Sequence, residues 1–427
     1  MLSVVGDVGD DGDVFALDAK SGDKRNRVIT LRDIQEAKKR IKSGIYYSPC
    51  PSSIQLSEIA DARIYCKFDN LQRTGSFKER GARNALLVLG DDQKKKGVVA
   101  ASAGNHALGL AYHGKLLGIP VTVVMPESAP LIKITTCQRL GANVVVGGRN
   151  FAEAQQQADQ LCVERGLTYI NGYDDWAIIA GQGTMGLEIL DQVPDLEAIM
   201  VPIGGGGLIA GIALAVKSLR PTIKIIGVEA EHTASFSAAV RKGHPVPVEM
   251  QPTLADGLAV PEAGEHAFSI AKDLIDDLVL VTEDQIALAI LRILELEKGV
   301  VEGSAAATLA ALMAGKVPEL KGKKIVLPFC GGNIDPSILN RVVEHGLVAD
   351  GRLSRFTAVI SDRPGGLAAL TRVIASVGAS VKEIAHDRTF TSADVSAVQV
   401  LCTVETRDHN HIRELHEALN AAGIRCD

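Results

Sequence analysis

The chain is 427 residues long, 46% apolar and 22% charged, with a formal net charge of −6. Such a length accommodates two or three domains with sizeable cores, and the negative sum offers no basic field to hold nucleic acid or an anionic membrane. No apolar run reaches the roughly 20 residues of a membrane helix, and the first residues lack the basic-then-apolar order of a secretory signal.

Residues 1–28 are acidic, with no arginine before Arg25, and read as a solvated tail. Cys50, Cys66, Cys137, Cys162, Cys330, Cys402 and Cys426 are scattered and form no C-x-x-C pair. The expectation is reduced thiols in a cytosolic protein, without disulfides or structural zinc. After the tail, "TLRDIQEAKKRIKSG" has helical spacing, with Thr30 and Asp33 able to cap its start. From there strands and helices alternate: strand "RIYCKFD", helix "FKERGARNALLVLG", strand "GVVAA", helix "NHALGLAYHGKLLG", strand "VTVVMP", helix "APLIKITTCQRLG", strand "NVVVGG" and helix "NFAEAQQQADQLCVERG". The series resumes with "EAIMVPI", "GLIAGIALAVKSLR" and "IKIIGVE" and closes near "KKIVLPF". Near-continuous apolar strands joined by crossover helices predict an α/β fold with two parallel sheets covered on both faces. Beyond Gly351 the order becomes β-α-β-β-α with only "IRCD" left for a last strand, a ferredoxin-like α+β unit and a separate domain.

The chemistry-bearing clusters sit between these elements. In "VPIGGGGLIAG" four glycines join a strand to a helix, and their N–H groups at a positive helix end suit an anion. Gly205, Gly207 and Ala210 also satisfy G-x-G-x-x-A with Glu229 ending the next strand, so a dinucleotide site and a phosphate loop for another cofactor both stand. In "GSFKERG", Lys78 falls in the first turn of a helix, where the macrodipole and burial both disfavour the ammonium. A lysine made neutral there is a nucleophilic amine suited to an aldehyde cofactor, against the bland reading of a solvated lysine. "SAGNHALG" puts Ser102, Gly104, Asn105 and His106 at another helix start, as donors for a carboxylate or phenolate or as a mere capping turn. In "PFCGGNID", Cys330 closes an apolar strand and reads most simply as a small hydrophobe.

"TGSFKERGA", "SAGNHALG", "GQGTMGLEI", "VPIGGGGLIAGIA", "TLADG" and "CGGNID" together resemble, in order and spacing, the serine/threonine dehydratases, and most of all the catabolic threonine ammonia-lyases. These are pyridoxal-phosphate enzymes of the tryptophan-synthase-β fold type, fold type II, and the resemblance runs from about Thr30 to His345. It implies a catalytic domain over 29–348, with a small subdomain at about 75–172 inserted in a large one. Lys78 would carry pyridoxal 5'-phosphate and act as base at the substrate Cα, with Phe77 beside the ring. Asn105 would meet the phenolic oxygen, Gly204, Gly205, Gly206 and Gly207 the phosphate, and Cys330 the pyridine nitrogen. Ser102, Gly104 and His106 would face the substrate carboxylate. L-Threonine and L-serine would lose the β-hydroxyl and then ammonia, giving 2-oxobutanoate or pyruvate.

Serine racemase with a side dehydratase activity is the rival, since it shares nearly all these motifs. Racemisation needs a second acid/base where this chain has Ala103, which cannot move a proton. The resemblance also implies a cation beside the glycine loop, monovalent or divalent, with Glu229 as its carboxylate and Thr233 and Ser235 in the other positions. Residues 352–427 resemble an ACT regulatory domain, whose first loop would hold an amino-acid or nucleotide effector on Asp362, Pro364, Gly365 and Gly366. A cytoplasmic homodimer or homotetramer is the expected form.

Overall fold

The computed structural model describes residues 29–387 and 396–427, so the tail expected over 1–28 lies outside the described residues. The first helix, Leu31–Ile41, begins as its sequence requires: Asp33 Oδ2 accepts from both the backbone and the hydroxyl of Thr30 at 2.9 Å.

In chain order the strands are β1 (Ser52–Ser53), β2 (Arg63–Lys67), β3 (Val98–Ala101), β4 (Val121–Met125), β5 (Asn143–Val146), β6 (Thr168–Tyr169), β7 (Ala198–Pro202), β8 (Lys224–Ala230), β9 (Asp277–Val281), β10 (Lys324–Pro328), β11 (Leu353–Ser361), β12 (Ser380–Asp387), β13 (Ala397–Glu405) and β14 (Arg425–Cys426). The larger sheet runs β1-β2-β10-β7-β8-β9 and is parallel except at its edge, where β1 pairs antiparallel with β2. The second sheet, β5-β4-β3-β6, is parallel throughout, and all its strands fall between β2 and β7 in the chain. In β3 and β4, Val98, Ala100, Val121, Val123 and Met125 face one helical layer, while Val99, Ala101 and Val124 face the other. That is why these strands read as unbroken apolar runs.

The third sheet, β12-β13-β11-β14, is antiparallel. Phe356, Ala358, Ile360, Val398, Val400, Cys402 and Val404 turn inward against helices Gly366–Ser376 and His409–Ala421. "IRCD" supplies only the two-residue β14.

The helix Trp176–Gln192 has no amphipathic period because it is buried from Ile178 to Ile189. It crosses the helix Gly207–Leu219 at glycines: a Cβ on Gly183 would lie 2.7 Å from the Gly211 carbonyl, and one on Gly211 2.5 Å from that of Ile179. Only backbone fits between these helices.

Beneath the helix Lys78–Leu87 lies a buried ion network. The Arg80 guanidinium donates to Asp69 Oδ2 (2.6 Å) and Oδ1 (2.8 Å), to Glu188 Oε1 (2.7 Å) and Oε2 (2.8 Å), and to Thr184 Oγ1 (3.2 Å). Lys67 Nζ donates to Glu188 Oε2 and the Ser48 carbonyl, both at 2.7 Å, and to Gln192 Oε1 at 3.0 Å. Burial pushes the Asp69 carboxyl up, and Arg80, with Lys67 and the Ser48 hydroxyl, more than reverses this, leaving it below the usual carboxylate range. Arg80→Met would take the guanidinium from two buried carboxylates, leaving Glu188 with Lys67 and Asp69 with the Ser48 hydroxyl, and is expected to cost about 3–5 kcal/mol, read as a large drop in the urea unfolding midpoint. Lys321→Met, in the exposed pair with Asp61, should leave that midpoint in place.

Candidate active site

Lys78 is held by main-chain bonds to a loop far away in sequence. Gly75 turns the chain at φ +79°, Ser76 forms an isolated antiparallel bridge with Gly331, and the Phe77 N–H donates to the Cys330 carbonyl at 2.9 Å. The Gly332 N–H returns a bond to the Gly75 carbonyl, also at 2.9 Å. Lys78 is the first residue of its helix, and its Nζ donates to the Gly172 carbonyl at 2.7 Å, with the amine 5.3 Å from the Phe77 ring centroid. Burial lowers its pKa to about 8, while Cys330 and Glu302 work in the opposite direction.

The amine faces a cavity of about 320 Å³ that is shared by Asn105, Gly204–Gly207, Tyr173, Cys330 and Glu302. The fully buried strand β7 delivers the glycines, Gly206 adopts φ +92°, and the helix Gly207–Leu219 starts there. A Cβ on Gly205 would enter the Tyr173 ring, and one on Gly207 would strike the Tyr173 carbonyl. The cradle is therefore open to an anion only because it has no side chains, and the free N–H groups of a helix start line it. Cradle and amine in one cavity fit pyridoxal phosphate.

Around them, Asn105 is clamped at both ends. Its Nδ2 donates to Glu302 Oε1 (2.9 Å) and Oε2 (3.1 Å), and its Oδ1 accepts from Asn333 Nδ2 at 2.8 Å. One Nδ2 hydrogen serves the bifurcated bond to Glu302, which leaves the other for a phenolic oxygen. Ser102, Ala103, Gly104 and His106 line the same cavity. The His106 side chain differs from expectation: its Nε2 lies 3.0 Å from the Ile170 carbonyl, which can only accept, so that nitrogen carries the proton. Nδ1 is buried without a partner, and burial pushes the imidazole pKa down to about 3. The ring cannot donate to a carboxylate; the main-chain N–H groups at the start of helix Asn105–Leu117 can. Cys330 is a buried neutral thiol, its pKa raised well above the ordinary value by burial and then by Glu302.

Glu229 lies outside this group. Its Oε1 accepts from the Phe236 N–H (2.8 Å), and its Oε2 from the N–H (2.8 Å) and hydroxyl (2.5 Å) of Ser237, so it caps the helix Ser235–Lys242. Among the described residues, no group of three His, Cys, Asp or Glu side chains could hold a metal ion. Asp362, Pro364, Gly365 and Gly366 form the turn between β11 and helix Gly366–Ser376, in the C-terminal unit rather than at the cavity, with Gly365 at φ +100°. Glu302 and Asn333 are site residues that the sequence reading passed over. The signal for Glu302 was a lone carboxylate in "VVEGSAAA", at the head of an alanine-rich helix.

The family model of pyridoxal-phosphate dependent enzymes matches residues 41–331. An L-threonine ammonia-lyase of Thermotoga maritima is 42% identical over 93% of this chain and 98% of its own length. The processed form of threonine deaminase isoform 2 from Solanum lycopersicum superposes with a TM-score of 0.71 and 40% identity, over 74% of this chain and 86% of that one. Serine racemase from Dictyostelium discoideum gives 0.68 and 37%, over 72% and 99%.

Because a Cβ on Gly207 would strike the main chain of Tyr173 in the cavity wall, Gly207→Ala is expected to weaken pyridoxal-phosphate uptake by about tenfold or more, read by absorbance titration of the cofactor-free protein. Uptake by the wild type should speed up as pH rises through about 8, where Lys78 loses its proton. A rate flat with pH across that range would contradict this reading.

Proposed function

The chain belongs to the pyridoxal-phosphate dependent enzymes, and on that premise we propose that it deaminates L-threonine, and L-serine as the smaller analogue, by β-elimination. The observation that carries the reading is the Lys78 amine, buried and lowered to about 8, in one cavity with a side-chain-free phosphate cradle. Gly204–Gly207 would hold the phosphate, Cys330 would meet the pyridine nitrogen as a neutral thiol, and the spare Asn105 N–H would meet the phenolic oxygen. When bound, pyridoxal phosphate supplies an electron sink that acidifies the substrate Cα–H.

The residues of the chain do the rest. Main-chain N–H groups at the start of helix Asn105–Leu117 bind the substrate carboxylate and orient Cα toward Lys78. Lys78 takes the Cα proton, the Cα electron pair forms the Cα–Cβ double bond, and the β-hydroxyl leaves as water with a proton that balances the one Lys78 took from Cα. The released enamine tautomerises and is hydrolysed in solution: water provides the 2-oxo oxygen and the nitrogen departs as ammonia. The likeness to a serine racemase favours a second reading, yet Ala103 lines the cavity and carries no proton.

We read the C-terminal antiparallel unit as the ACT regulatory domain of a homo-oligomer, with the Asp362–Gly366 turn as the effector seat. Alternating charges tie its root to the catalytic body. Glu295 pairs with Arg352 at 2.5 Å and with Arg292 at 2.9 Å, and Arg292 pairs with Asp350 at 2.5 Å. Beside Glu229, the Thr233 and Ser235 hydroxyls are buried without hydrogen-bond partners, which favours a monovalent ion over a divalent one.

The purified protein should show the visible absorbance of a lysine-bound cofactor and release 2-oxo acid from L-threonine and L-serine. Lys78→Ala should abolish the absorbance and lower turnover by about a thousandfold. Absorbance that survives in the variant would overturn the assignment, and D-serine made from L-serine as the main product would move it to the racemase.

A further inference from the structure

Glu302 is a buried carboxylate in the cavity wall with no place in the scheme above. It is the N-cap of the helix Gly303–Met313 and is 4% exposed. Its carboxylate accepts from Ser304 Oγ at 2.6 Å and Asn105 Nδ2 at 2.9 Å on Oε1, from the same Asn105 nitrogen at 3.1 Å on Oε2, and from the Asn333 backbone; burial raises its pKa and these donors work against that. A Cβ on Gly331 would collide with Oε1, so the carboxylate lies flat against the loop that also carries Cys330 and bridges to Ser76. The carboxylate thus reaches the cofactor-binding amide and the lysine segment at once.

We propose that Glu302 is a positioning residue: through Asn105 it fixes the amide N–H presented to the cavity, and it is the counter-charge to the ammonium that Lys78 becomes when it holds the substrate's Cα proton. This rests on the reading of Lys78 as the cofactor-bearing base. The charged and titratable groups facing the pair are few. Asp256 comes from the turn Asp256–Leu258, Cys330 follows β10 as a neutral thiol, and His106 stays uncharged. The sign is set by charge alone. Burial lowers the Lys78 pKa and Glu302 raises it, so removing the carboxylate charge leaves the amine neutral to a lower pH.

The test uses Glu302→Gln in two forms. In cofactor-free protein, competitive acetic anhydride labelling of Lys78 is followed against pH by peptide mass. In cofactor-loaded protein, kcat and KM are measured. The labelling midpoint should fall by roughly half a unit or more, and kcat should fall about tenfold or more while KM stays within about threefold. Asn333→Ala, which frees the other end of Asn105 and removes no charge, should lower kcat and leave the midpoint alone. If Glu302→Gln does not fold, Glu302→Asp carries the test: it keeps the charge and loses the Asn105 contact, so the midpoint should hold while kcat drops. An unmoved midpoint in Glu302→Gln, or kcat within twofold of wild type, overturns the proposal. A wild-type protein that never takes up pyridoxal phosphate overturns the proposed function instead, because the labelling is read without cofactor.

Discussion

Lys67 is buried in the catalytic body and Lys78 is half-buried at the cavity wall, and the difference between them organises the site. Lys67 is fully enclosed, but a carboxylate, a carbonyl and an amide oxygen take its three hydrogens. Lys78 has one carbonyl at 2.7 Å and no carboxylate at contact distance. Desolvation disfavours the charged form of both and lowers both pKa values, but Lys67 has a carboxylate in direct contact, whereas Glu302 opposes the effect on Lys78 without a direct hydrogen bond to it. The helix start at Lys78 adds its dipole to the same side. The amine free to lose its proton is thus the one facing the cavity, and the other is locked into structure.

That arrangement asks for rigidity underneath, and Arg80 provides it two residues along the same helix. A guanidinium stays charged where an ammonium would not, and its bonds to Asp69, Glu188 and Thr184 tie the helix Lys78–Leu87 to the end of β2 and to the helix Trp176–Gln192. A buried network of this kind adds little net stability over an apolar core. Its contribution is to fix the direction in which the next residues point, and the bonds between Phe77 and Cys330 and between Gly75 and Gly332 convert that direction into a set position for the amine.

The sequence was legible where structure follows from neighbours in the chain. Seven strands of the two parallel sheets show as apolar runs, whereas β1, β6 and β9 do not figure in that reading; Thr30 and Asp33 mark a helix start, and four glycines after Ile203 join a strand to a helix. The first-turn position of Lys78 pointed to a nucleophilic amine without excluding a solvated lysine. What stayed hidden depends on partners far apart: Asn105 meets Glu302 across 197 residues and Asn333 across 228. His106 was misread for a related reason. Its residue type suggests a donor, but the distant Ile170 carbonyl takes the only proton it has. The helix Trp176–Gln192 gave no periodic signal because every side of it is covered.

The glycine loop had two readings in sequence, and Glu229 separates them. A dinucleotide site needs an acidic side chain at the end of the next strand, free to bind the ribose hydroxyls. Here β8 does end near Glu229, but both carboxylate oxygens accept hydrogen bonds from Phe236 and Ser237, so the group is spent on a helix start. Its burial raises its pKa, and the three donors offset only part of that rise. A ribose diol would have to break these bonds within an enclosed site and replace them one for one. The anion cradle, by contrast, needs nothing beyond the N–H groups already exposed by Gly204–Gly207, and Lys78 lies across the same cavity from it. The pairing of a side-chain-free phosphate seat with an isolated amine therefore selects a phosphorylated aldehyde over a dinucleotide.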